Sequence, residues 1–154
     1  MNDLKKAAVA ALQGKTIATA ESCTGGGIGE ALTSVPGSSA VFKGGMISYC
    51  DEIKHKLLGV SQECLGQYGA VSAPVAEAMA KGAKDALCAD MAISATGLAG
   101  PAGDDRGNPV GTVFIGWCDE NGAFSREYHF SGDRETVRHQ AIEKALQLIV
   151  EQNQ

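Results

Sequence analysis

The chain has 154 residues, a formal net charge of −5 and an isoelectric point near 5.1. That balance excludes a surface that works by neutralising many nucleic-acid phosphates with Lys and Arg. The five cysteines (Cys23, Cys50, Cys64, Cys88, Cys118) are odd in number, widely spaced and without a C-x-x-C pair, which predicts no disulfide framework and no zinc site. No stretch approaches the roughly 18 consecutive apolar residues of a membrane span, and the opening MNDLKKAAVA lacks the apolar run of a secretory leader. A cytoplasmic protein with neither nucleic-acid nor membrane partners is expected, folding over residues 1–154 as one domain.

Residues 3–13 place Leu4, Ala8, Ala11 and Leu12 at helical spacing, with Gly14 as a stop. TIATA at 16–20 reads as a short buried strand, and after three glycines Ile28, Ala31 and Leu32 form a helix face that ends before Pro36. Residues 40–49 predict a second strand, and Asp51 is placed as N-cap of a short helix over 51–60. SQECLGQYG adds another short helix, and Ser72-Ala73-Pro74 opens a firmer one that runs to about Leu87. MAISATG at 91–97 is a strand leading into a Gly-, Pro- and Asp-rich loop, 98–109. Strands 110–118 and 123–130 flank an Asn-Gly hairpin signal, and Asp133 caps a final helix with Val137, Ala141, Ala145, Leu148 and Ile149 inward.

Alternating helices and strands followed by a hairpin predict an α/β fold, a three-layer α/β/α sandwich with a mixed, mostly parallel sheet. Ligands in such sheets bind beyond the carboxyl ends of strands, which singles out the loops at 22–27 and 97–108.

The stretch ATAESCTGGGIGEAL at 18–32 leaves three readings open: a phosphate cradle, a nucleophile loop or a tight strand-to-helix turn. G-x-G-x-x-G fails because Glu30 and Leu32 occupy the sixth positions, and no Gly-Lys-Ser/Thr triplet occurs. Glycines opening a helix still present N–H groups to an anion or a developing oxyanion. G-x-S-x-G is absent, and a nucleophilic Ser22 or Cys23 needs a base; a helix N-terminus would favour the Cys23 thiolate. His55, His129 and His139 are the histidines available for that role.

AESCTGG at 20–26, GSSAVFKGG at 37–45, SYCDEIKHKLLGV at 48–60, YGAVSAPVAEAMA at 68–80, ATGLAGP at 95–101, PVGTVFIGW at 109–117 and FSGDRETVRHQAIEKAL at 130–146 change this. In order and spacing they closely resemble the CinA C-terminal domain family, whose characterised activity is hydrolysis of the carboxamide of nicotinamide mononucleotide (NMN). The resemblance covers almost the whole chain and is to the stand-alone form of the domain.

It implies catalysis by Ser22, Tyr49 and Lys54: Ser22 attacks the carboxamide, and neutral Lys54 takes its proton directly or through Tyr49. Ammonia leaves and water releases nicotinate mononucleotide, with no metal and no cofactor implied. For the ribose and phosphate of this small-molecule substrate it points to Thr24, Gly25, Gly26, Ser38, Ser39, Thr96, Gly97, Ala99 and Gly100. Arg134 and Arg138, one turn apart at the start of the last helix, are candidates either for anion capture, with Arg138 then expected on the phosphate, or for pairing with Asp133 or Glu135. A basic lysine requires desolvation or a neighbouring cation, for which Lys56 is the candidate. Gly27 stands where the family often has a larger residue, which predicts a looser loop. The alternatives are a non-catalytic nucleotide-binding module of the same fold and an amidase for another carboxamide, and self-association as a homo-oligomer is compatible with the composition.

Overall fold

The computed structural model describes residues 1–154. In chain order the elements are α1 (Asn2–Ala11), β1 (Ile17–Glu21), α2 (Gly27–Thr33), a 3-10 turn (Ser38–Ala40), β2 (Phe42–Ile47), α3 (Asp51–Leu58) and α4 (Gln62–Tyr68). They continue with α5 (Ala73–Ala86), β3 (Met91–Gly97), β4 (Thr112–Asp119), β5 (Gly122–His129) and α6 (Arg134–Gln152). The strands form one sheet in the order β2-β1-β3-β4-β5. β1 pairs in parallel with both β2 and β3, while β4 is antiparallel to β3 and β5 to β4. Only β4 opposes the common strand direction, so the sheet is mixed as expected, although its ladders divide evenly between parallel and antiparallel.

Side-chain alternation along the strands separates two cores. Ile17, Ile93, Ala95, Val113, Ile115 and Trp117 pack with α1, α2 and α6. Ala18, Ala20 and Ala92, one residue out of phase, meet Leu58 of α3, Leu65 of α4 and Val75, Met79 and Ala83 of α5. The result is the three-layer sandwich. α5 lies close to the sheet because Gly116 of β4 has no Cβ to strike the Ala76 carbonyl, to which Ser94 Oγ donates at 2.6 Å.

Several local readings shift by a residue or two. Ser72 and Asp133 cap α5 and α6 through their side chains, as the sequence predicts. Asp51 does not cap α3: Cys50 is the extended N-cap, and Asp51 and Glu52 occupy the first turn, where negative charge suits the helix dipole. β2 stops at Ile47, so Tyr49 lies in the β2–α3 connection rather than at the strand end. In the β4–β5 hairpin Asp119 pairs with Gly122. Asn121 N donates to Asp119 Oδ1 at 2.8 Å, and the left-handed position falls on Gly122 at φ 123°, so Glu120-Asn121 is the loop.

β1 and β3 end side by side, and the loop after each rises at that end of the sheet. The Ser38–Ala40 turn precedes Phe42, which pairs with Ile17 at the start of β1. It therefore sits at the opposite end.

Candidate active site

Ser22 extends the sheet by one residue, its N–H donating to Ala95 O at 2.9 Å. The chain then reverses through Gly25 (φ 59°) and Gly26 (φ 99°), a left-handed pair that side chains with a Cβ rarely adopt. Gly25 N donates to Ser22 O and Gly27 N to Thr24 O, each at 3.0 Å, and α2 begins. Gly27 does not loosen this loop: its missing Cβ is what lets Ile142 of α6 pack directly against the start of α2.

Next to β1, Ser48 N donates to Glu21 O at 2.8 Å and fixes the path into α3. That path directs Lys54 inward. Its Nζ donates to Ser48 O at 2.7 Å and to Ser22 Oγ at 3.0 Å, and the residue is 2% exposed. No carboxylate forms an ion pair with it. Burial pushes the Lys54 ammonium below the ordinary lysine value of 10.5, opposed chiefly by the charge of Asp51. Lys56, expected as the cation that tunes Lys54, is exposed on the outer face of α3; desolvation is the cause instead.

Cys23 is 5% exposed, and burial raises its thiol to about 11, outweighing a backbone hydrogen bond and the smaller contributions of Lys54 and Arg138. It is a neutral thiol, not a thiolate nucleophile. None of the three histidines reaches this region: His55 Nδ1 lies 2.8 Å from Val60 O, His129 pairs with Glu127, and His139 is exposed on α6.

A cavity of about 420 Å³ opens above Ser22 and Lys54 at the carboxyl ends of β1 and β3. Tyr49 lines it, as do Thr96, Gly97, Ala99 and Gly100. Tyr49 is 60% exposed; its hydroxyl accepts from Arg134 at 2.7 Å and bonds neither to Ser22 nor to Lys54. Arg134 also donates to Gly100 O, joining the two loops at the rim.

Cys23 lines the cavity too, but the remaining substrate-binding residues expected from the sequence do not. Thr24 is fully buried and donates to Glu21. Gly25 and Gly26 form the turn behind Ser22, and Arg138 braces that turn by donating to Cys23 O at 3.0 Å and Thr24 O at 3.1 Å. Ser38 and Ser39 lie at the far end of the sheet. Three further residues belong to the site but escaped sequence reasoning. Asp51 and Arg106 line the cavity, Arg106 donating to Gly66 O at 2.6 Å and Gln67 O at 3.0 Å. Glu21 underlies the turn; a charged residue closing the buried strand IATAE was its only signal.

A serine hydroxyl hydrogen-bonded to a buried lysine, at the carboxyl end of a parallel strand inside a three-layer sandwich, defines a class: α/β proteins that pair a serine with a buried lysine beneath an open cavity. The chain belongs to the CinA C-terminal domain family, whose sequence profile matches residues 1–152. It is 50% identical over 130 residues to nicotinamide-nucleotide amidohydrolase PncC of Pseudomonas putida, covering 84% of this chain and 81% of that protein. With a CinA-like protein of Thermosynechococcus vestitus it shares 53% identity over 138 residues, spanning 88% of this chain but only 33% of that longer protein. The crystal structure of a competence-damaged protein (CinA) superfamily member from Klebsiella pneumoniae superposes with a TM-score of 0.96 at 34% identity, covering 99% of this chain and 96% of that one. No helix is long and apolar enough to cross a membrane.

Proposed function

We propose that this chain, read as one functional unit over residues 1–154, is a nicotinamide-nucleotide amidohydrolase converting NMN and water to nicotinate mononucleotide and ammonia. The observation that carries the reading is the 3.0 Å contact between Lys54 Nζ and Ser22 Oγ beneath a cavity of about 420 Å³. Membership of the family adds support, as do relatives named for this activity in Pseudomonas putida and Escherichia coli, of which the chain spans 81% and 86%.

Neutral Lys54 accepts the Ser22 proton as Oγ bonds to the carboxamide carbon. The lysine, now cationic, returns that proton to the amide nitrogen as the C–N bond breaks, and ammonia leaves a nicotinoyl ester on Ser22. Water, deprotonated by Lys54, attacks the ester; the C–O bond to Ser22 breaks and Oγ recovers its proton. The direct contact makes a relay through Tyr49 unnecessary. Tyr49 instead orients Arg134, whose place on the cavity rim suits the substrate phosphate. Arg138, committed to the Cys23 and Thr24 carbonyls, holds the nucleophile turn.

Ammonia release from NMN by wild type and by Ser22→Ala tests the reading, with nicotinamide riboside, nicotinamide and NAD as competing substrates. Turnover of NMN that Ser22→Ala lacks is expected. A folded wild type that releases no ammonia from NMN rejects it.

A further inference from the structure

We infer that Glu21 is a positioning residue: its buried carboxylate locks the 22–26 turn onto α2 and so holds Ser22 Oγ at Lys54. The inference rests on the reading of Ser22 as the nucleophile. Glu21 is 2% exposed and has no cationic partner. Its Oε1 accepts from Thr24 Oγ1 at 2.7 Å and from Ile28 N at 2.8 Å, and its Oε2 accepts from Gly29 N at 2.9 Å. All three partners are donors, a pattern that a carboxylate satisfies with both oxygens.

The sequence makes this arrangement necessary. α2 begins after Gly26, an N-cap without a side chain, so once Gly27 N has bonded to Thr24 O the next two amides, those of Ile28 and Gly29, find no cap in the turn itself. Glu21 supplies one from before the turn. The peptide chain from Glu21 to Gly29 is thereby closed into a ring by its own hydrogen bonds, with Ser22 next to the closure. Glu21 O also accepts Ser48 N at 2.8 Å, and Ser48 O receives Lys54 Nζ at 2.7 Å. Both members of the pair are thus referenced to one residue.

The same geometry narrows what the glycine turn can do. The α2 amides of Ile28 and Gly29 are occupied by Glu21, so they are not donors for a substrate anion or oxyanion. The negative charge also disfavours ionisation of neighbouring Cys23, which works in favour of Ser22 as nucleophile.

Glu21→Gln keeps the shape but turns one acceptor into an N–H₂ group facing a backbone N–H or the Thr24 hydroxyl. The turn must shift, and a displacement near 1 Å lowers turnover about 100-fold. Two readouts test this: kcat and KM for NMN, and the second-order rate at which a fluorophosphonate phosphonylates Ser22, which requires no NMN chemistry. A folded Glu21→Gln with kcat and labelling each reduced about 100-fold, and KM within about threefold of wild type, is the expected result. Wild-type labelling and kcat in that variant, or losses that merely track the unfolded fraction seen by circular dichroism, overturn the inference. Should Glu21→Gln fail to fold, Glu21→Asp, one methylene too short to reach both α2 amides, is judged by the same criteria. Wild type that turns over NMN poorly but labels at Ser22 removes the substrate reading and leaves labelling to decide Glu21. Wild type that turns over NMN without labelling overturns the Glu21 inference along with Ser22 as nucleophile and leaves the substrate reading standing; wild type that does neither removes both.

Discussion

Lys54 Nζ donates to Ser22 Oγ at 3.0 Å across 32 residues of sequence, and no carboxylate forms an ion pair with that amine. Burying an amine without a counter-ion is unfavourable to folding, and the same desolvation makes it a base. Function and stability should therefore separate at this residue. Lys54→Met is expected to lower kcat at least about 10³-fold while raising the melting temperature by about 2–4 °C, a change on the order of 1 kcal/mol in a domain of this size. Ser22→Ala should abolish turnover and leave melting nearly unchanged. A thermal melt beside the ammonia assay checks both; a clearly lower melting temperature for Lys54→Met would mean that its two hydrogen bonds outweigh the burial.

The pH dependence of kcat/KM follows from the same group. In the proposed mechanism only neutral Lys54 accepts the Ser22 proton, so the rate should rise with pH through the lysine's depressed pKa, which lies below 10.5. Asp51, in the first turn of α3, opposes that depression by stabilising the ammonium. Removing its charge must move the rising limb to lower pH. Asp51→Asn is expected to gain kcat/KM on the acid side of the limb and to leave the plateau in place. A full profile of wild type against Asp51→Asn decides it, and a limb displaced to higher pH would contradict the assignment.

Cys23 provides an internal control. Its thiol is raised from 9.0 in the open chain to about 11 in the fold, chiefly by burial. A pKa raised on folding adds stability that is complete below the unfolded value and lost as pH rises through the folded one. Unfolding free energy should therefore fall between about pH 9 and 11, and Cys23→Ala should flatten that part of the curve. Because the thiol stays protonated near neutrality, Cys23→Ala should keep kcat within a small factor of wild type, and iodoacetamide should modify the exposed Cys50 and Cys88 first. Loss of turnover in Cys23→Ala comparable to that of Ser22→Ala would return the nucleophile to the thiol.

Legibility in the sequence tracked the range of the interactions. Apolar periodicity along α5 and α6, and caps such as Ser72 and Asp133, are local and translate directly into helices. The hairpin was visible too, but its register depends on the Asp119 side chain binding Asn121 N, which composition does not encode. The candidate site could be named only through the resemblance, because Ser22, Lys54 and Thr96 meet at one cavity through strand order rather than spacing. Glu21 falls just beyond the strand that the sequence predicts at 16–20 and has no assigned role there; that its carboxylate reaches Gly29, 8 residues on, is a property of the folded turn. Arg134 and Arg138 are indistinguishable as letters one helical turn apart, yet one reaches the cavity rim and the other the glycine turn behind Ser22.

That divergence makes the two arginines the sharpest test of substrate orientation. Arg134 lines the cavity and bridges Tyr49 OH to Gly100 O, so a phosphate at the rim would meet a guanidinium already held in place. A charge-assisted contact of this kind contributes roughly 1.5–3 kcal/mol, or about 10–100-fold in affinity. Arg134→Ala should raise KM for NMN by about that factor and change KM for nicotinamide riboside, which lacks the phosphate, far less. Arg138→Ala removes donors from Cys23 O and Thr24 O instead, so it should lower kcat for both substrates alike through a displaced Ser22. Tyr49→Phe, which leaves Arg134 bound to Gly100 O alone, should resemble a mild Arg134→Ala in KM and retain most of kcat. A large kcat loss in Tyr49→Phe would instead restore the tyrosine to the proton path, and a phosphate-selective KM effect confined to Arg138→Ala would place the nucleotide on the other side of the turn.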